Sequence, residues 1–240
     1  MILIGTSMNL KDFFYKDGVL MLRRVFLVTF IVEIVLYISI SSLNFHNSVL
    51  LGSLTTERKS IYSMGLVGMI FEIFPHNLMV ATIEFIPVIG WIFFALSTVT
   101  TSLVIAAEGY ALYHSGILIF LSLALLPDTW IELPSYAIAF STSIYLFYSL
   151  IKGRKFLAER ARKILYMYLF IVLELAIAGT FESVEIVLSG PSNNNIVYPL
   201  MMWIPAVPAI LLLIMLFRRI NHDEYKPKAK DIDTFNFENV

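Results

Sequence analysis

Apolar residues in this chain run on for whole segments instead of recurring every third or fourth position, as they do in a helix with one wet face. Residues 25–43 form the first such run, and others occupy about 61–86, 88–110, 129–150, 164–187 and 196–217. Each approaches or exceeds the roughly 20 residues a helix needs to cross a bilayer. The pattern predicts an all-α fold, a polytopic transmembrane helix bundle of about six spans. The stretch "ILIFLSLALL", residues 117–126, is too short to cross. It predicts a re-entrant half-helix that enters from the outer side and stops at Pro127, whose ring nitrogen has no hydrogen to donate. Three regions follow: a polar N-terminal segment, 1–24, a transmembrane helical domain, 25–217, and a polar tail, 218–240. "SGPSNNN", residues 189–195, separates the last two spans.

Composition agrees: 58% of residues are hydrophobic and the mean hydropathy is +0.80, against about 45–50% apolar in soluble domains. The net charge of −1 says little about partners. With no cysteine there is no disulfide, thiolate metal site or cysteine nucleophile. The first run follows Lys11, Lys16, Arg23 and Arg24 and has no small-residue cleavage site after it, so it is expected to be a retained span. The remaining cations gather in "KGRKFLAERARK", residues 152–163, and at Arg218, Arg219, Lys226, Lys228 and Lys230; only Arg58 and Lys59 lie elsewhere. The positive-inside bias therefore puts the N-terminus, the 152–163 loop and the C-terminus in the cytoplasm of a multi-pass plasma-membrane protein, with the 44–60 loop outside.

The acids change the picture. Glu33, Glu72, Glu84, Glu108, Asp128, Glu132, Glu174, Glu182 and Glu185 all lie in apolar stretches, and no lysine or arginine lies between residues 61 and 151 or between 164 and 217. A carboxylate at mid-membrane costs about 2.5–3.5 kcal/mol on insertion scales. Each must stay protonated, reach an interface, or face a polar interior or a bound cation. At about 100° per residue, Glu174, Glu182 and Glu185 share one stripe of a helix. Glu84 precedes Pro87 and suggests an interfacial position. Pro75 is expected to kink its span, with His76 and Asn77 satisfying the freed carbonyls. Asp128, after Pro127, is expected to cap the next helix, with Glu132 four residues on over the same face. Such a break belongs in the bundle interior. The candidate polar cluster is Asn77, Glu108, Asp128, Glu132, Glu174, Glu182 and Glu185. No spacing of histidines or acids matches a known metal motif, and no cofactor is implied.

The segment "LPDTWIELPSYAIAFSTS", residues 126–143, resembles the hallmark of the stage II sporulation protein M family, roughly L-P-H-G-x-x-E-L-P-A. Leu126, Pro127, Glu132, Leu133 and Pro134 match, while Asp128 and Thr129 stand where the family often has His and Gly. "FEIFPHNLMVATIEFIPVIGW", residues 71–91, resembles its Asn-containing second span through Asn77, and "AIAGTFES", residues 176–183, its late A-x-x-x-E segment through Glu182. Glu108-Gly109 replaces an Asn-Gly. The resemblance implies a multi-span membrane protein with no catalytic assignment. In spore-forming bacteria the named member is a membrane component of a complex that degrades the septal wall, and the hydrolases are its partners; relatives also occur in organisms that make no spores. The leading expectation is a non-catalytic scaffold or subunit in the lipid bilayer, with other membrane proteins or a second copy as partners. The alternative is a cation- or proton-conducting channel or transporter using the intramembrane glutamates. No G-x-S-x-G, G-x-G-D or H-E-x-x-H marks a hydrolase, and no basic aromatic module points to nucleic acid.

Overall fold

A computed structural model describes residues 10–112, 115–190 and 197–225. His114, most of "SGPSNNN" and the tail beyond 225 lie outside the described residues. A short helix, α1 (Leu10–Phe14), leads into a hairpin of β1 (Tyr15–Lys16) and β2 (Val19–Leu20). Its two-residue turn is Asp17-Gly18, both at positive φ, the chemistry such turns favour. Then come α2 (Leu22–Ser41), α3 (Ser48–Tyr62), α4 (Leu66–Glu84), α5 (Ile89–Ala111) and the short α6 (Gly116–Leu123). The chain continues through α7 (Thr129–Lys152), α8 (Arg154–Ser189), α9 (Val197–Leu200), α10 (Trp203–Ile220) and α11 (His222–Tyr225).

Among the described residues, five helical segments are long and apolar enough to cross a membrane: α2, α4, α5, α8, and the stretch from Val197 to Ile220. The sixth long helix, α7, is more polar, because it stands in the middle. It packs against α8 most extensively and is wrapped also by α2, α4 and α5. Polarity is turned inward on α2. On α2 the buried residues include Thr29, Glu33, Tyr37 and Ser41, every fourth position, while Leu27, Ile31, Val32, Val35 and Ile38 are exposed. A stripe of period four drifts slowly round a helix, along the ridge by which two helices cross. Lipid then solvates the apolar outside, and helix contact hides the hydroxyls.

Several expectations needed correction. The 44–60 segment is not a loop: Asn47 Oδ1 accepts from Val49 N and Leu50 N at 3.0 and 3.1 Å and starts α3, none of whose residues is buried. The 152–163 segment is not a loop either. Only Gly153, at φ 104°, separates α7 from α8, since "RKFLAERARK" consists of good helix formers. At 36 residues, α8 is about 54 Å long, well beyond the roughly 30 Å of a bilayer core. The first span starts at Leu22 instead of 25, and the last ends at Ile220 instead of 217.

The cation-rich ends of α2, α7, α8 and α10 meet at one end of the bundle, where α11 closes them. Glu224 accepts from Leu22 N at 3.0 Å and Arg23 N at 3.1 Å, and from Lys163 Nζ at 2.6 Å. Asp223 takes Arg160 and Lys163, each at 3.0 Å. At the opposite end lie α3 and the start of α6, where Gly116 fits between Ser41 and Ala106. Arg58 of α3 pairs there with Glu108 through both carboxylate oxygens, at 2.5 and 3.1 Å.

Candidate functional site

The break between α6 and α7 builds the site. Pro127 precedes the helix, and its carbonyl accepts from Trp130 N at 3.1 Å, so helical winding already begins there. Asp128 is in the helical region (φ −53°, ψ −45°), and its side chain makes no capping bond, contrary to the expected cap. A helical residue aims its side chain out from the axis instead of back over the first turn. Asp128 is directed at other acids instead. One oxygen each of Asp128, Glu132 and Glu182 lies within 4.8 Å of the others. Pro134 sits in the second turn of α7, inside the helix.

Glu185, one turn along α8, is 2% exposed, and no cation or hydroxyl reaches either of its oxygens among the described residues. Its carboxyl stands against that of Asp128, and two carboxyls bond one another only when one carries a proton. Asp128 Oδ1 is likewise without a donor. Tyr136, one turn from Glu132, donates to Glu132 Oε1 at 2.8 Å. No lysine or arginine pairs with any of these four acids among the described residues.

Glu182 also faces a cavity of about 610 Å³ between α3, α4 and α8. Glu57, Glu72, His76 and Asn77 line it with hydroxyls of Ser53, Thr56 and Ser60. Asn77 is therefore part of the approach to the acids. Neither it nor His76 bonds the carbonyls freed by Pro75 among the described residues, which corrects that expectation; both side chains face the cavity instead.

On the other side of Glu132 the acids continue. Glu33 lies within reach of the charges of Glu132 and Glu84. Glu84, at the last residue of α4, is 1% exposed, because Ser97 of α5 folds over it and donates to Oε1 at 2.8 Å. Carboxyls thus occur from Glu57 and Glu182 at the cavity, through Asp128 and Glu132, to the buried Glu33 and, at the last turn of α4, Glu84. Two candidates stand apart. Glu108 is spent on Arg58. Glu174 is on the same inward stripe of α8 as Glu182, yet meets Ser135 Oγ at 3.2 Å. That hydroxyl also lies 2.8 Å from Ile131 O, and its single hydrogen serves one acceptor at a time unless Glu174 brings a proton of its own. Glu33 and Glu84 were missed as members of the cluster, although the every-fourth-residue polar stripe of α2 pointed inward.

The family model described as "Stage II sporulation protein M" matches residues 24–184. No curated protein matches the chain, and no solved structure does.

Proposed function

The chain belongs to the stage II sporulation protein M family, and from that premise and its interior we propose a non-enzymatic multi-pass membrane protein that passes protons or small cations along its buried acids. The observation that carries this reading is the set of carboxyls that no lysine or arginine pairs among the described residues, from Glu57 and Glu182 at the α3 cavity through Asp128 and Glu132 to the buried Glu33 and Glu84. Acids kept inside a membrane at this cost mark ion and proton routes, and steps longer than one hydrogen bond are bridged by water. Non-enzymatic character is supported by how the interior hydroxyls are used. Ser102, Ser141, Thr142, Ser149 and Ser183 each donate to the carbonyl one turn back at 2.6–2.8 Å, and none is held by a base. The basic end is assigned to the cytoplasm of the plasma membrane by its charge, and no nucleic acid is expected as a partner.

The test is flux in proteoliposomes. The wild-type chain is expected to dissipate an imposed proton or potassium gradient faster than empty vesicles. Glu132→Gln with Glu182→Gln should cut that rate about tenfold or more, the order seen when a proton-transfer group is lost. Equal rates in wild type and variant would sink the reading.

A specific observation favours a second role, as a subunit of a membrane complex. The overhang of α8 and the end of α10 enclose a groove of about 910 Å³ lined by Arg160, Arg162, Lys163, Arg219 and His222, in excess over Glu159 and Asp223, above Leu169 and Leu173. Such a groove suits a partner with an acidic, amphipathic segment. Pull-down from native membranes in mild detergent is expected to yield a stoichiometric partner that Arg162→Glu with Arg219→Glu loses. Recovery of the chain alone would count against this role.

A further inference from the structure

We propose that Asp128, Glu132 and Glu182 bind one hard divalent cation, which clasps the re-entrant break to α8 at the mouth of the outer cavity. The inference goes beyond ion passage and stands whether or not anything moves along the acids.

Three features point to a cation. The first is geometry. Ligand atoms of the three residues all lie within 4.8 Å of one another. Three such oxygens share a point that lies at most about 2.8 Å from each, so side-chain adjustments of a few tenths of an ångström bring all three to the roughly 2.3–2.6 Å of an ion of the calcium class. The second is the neighbour. Glu185 is buried against Asp128, and no cation or hydroxyl reaches its two oxygens among the described residues. Asp128 Oδ1 has none either. Buried polar atoms of this kind call for an explanation; a cation supplies a positive partner to Asp128 directly and, through Asp128, a nearby positive charge for Glu185. Tyr136 holds Glu132 in orientation from behind, as outer partners of metal ligands do. The third is access. Glu182 belongs both to the triad and to the wall of the cavity, whose other acids, Glu57 and Glu72, draw cations inward.

The donor set decides the class. Carboxylate oxygens with no histidine and no thiolate select calcium, magnesium or manganese over zinc or copper. The His76 ring lines the cavity but is not one of the three ligands. The consequence is mechanical. Asp128 and Glu132 sit on the first turn of α7, directly after the break, and Glu182 is on the neighbouring α8. An ion between them fixes the α6–α7 hairpin to the bundle; without it the carboxylates repel and the hairpin loosens.

The experiment uses the full-length chain in detergent, stripped with chelator and titrated with Mn2+ while free Mn2+ is followed by its paramagnetic resonance signal. The expected result is one saturable Mn2+ per chain, displaced by Ca2+. Glu182→Gln and Asp128→Asn should each weaken binding about tenfold or more, and Glu174→Gln should leave it unchanged. Thermal unfolding gives a second readout. At a hundredfold excess over the dissociation constant, Mn2+ should raise the wild-type midpoint by roughly 5–10 °C and should do much less in either ligand variant. If those variants fail to fold, Glu185→Gln, which keeps all three ligands, carries the test by its weakened affinity. No saturable binding, or binding that Glu182→Gln and Asp128→Asn leave intact, overturns the site. A chain that binds Mn2+ without conducting keeps the clasp and loses ion passage; conduction without Mn2+ binding does the reverse.

Discussion

Alanine in place of Glu224 is expected to lower the unfolding free energy by about 3–5 kcal/mol, the usual cost of leaving one member of a buried ion pair alone. Glu224 is 5% exposed and does three things at once. It accepts from the first two backbone N–H groups of α2, Leu22 and Arg23, and it pairs with Lys163 at 2.6 Å. Helix α2 has no capping side chain of its own, since Met21 is its N-cap residue, so a carboxylate 202 residues away fills that role. Its negative charge also suits the positive end of the helix dipole. Lys163, held over the Tyr145 ring at 5.3 Å, would lose its buried partner and keep only the half-exposed Asp223, which it shares with Arg160. Unfolding of the purified chain in detergent measures the effect. Glu224→Gln should fall between, because it keeps an acceptor for the backbone but not the charge for Lys163. A loss below about 1 kcal/mol for the alanine variant would class the contact with exposed surface pairs and sink the argument.

Gly116→Ala is expected to cost about 3 kcal/mol, the upper end for overpacking. A β-carbon there would lie 2.3 Å from Ser41 O, 2.7 Å from Ala106 Cα and 3.0 Å from Ile105 O. All three are backbone, so no side chain can swing aside. The first turn of α6 would be lifted from α2 and α5, and with it the stacking of Phe120 on Tyr37, whose ring centroids are 5.6 Å apart. Gly52, in exposed α3, provides the contrast. Nothing lies within 4 Å of its added β-carbon, so Gly52→Ala should gain about 0.5–1 kcal/mol from helix propensity alone. Midpoints that move alike in the two variants would show that the close approach at Gly116 does not matter.

The membrane class, the half-helix at 117–126 and the inward stripe of Glu174, Glu182 and Glu185 could all be read along the chain, because each is a local matter of period and run length. Asp128 misled for a related reason. An acid after a proline has the composition of a cap, but its direction depends on where the first turn begins, and winding starts at Pro127. The burial of Glu84 could not be read along the chain, since only packing brings Ser97 over it.

By itself the sequence determined that the chain is a helical membrane protein of this family and that its acids lack cations beside them. Hydropathy and charge count are sums over neighbours in the chain, and need no contact map. Which acids share a site was decided by tertiary structure alone. Glu174 and Glu182 occupy one stripe of one helix, yet one meets Ser135 and the other Asp128 and Glu132. Glu224 caps a helix from the far end of the chain. A carboxylate's partner is set by which helices pack at its depth, and the helix it sits on does not specify that.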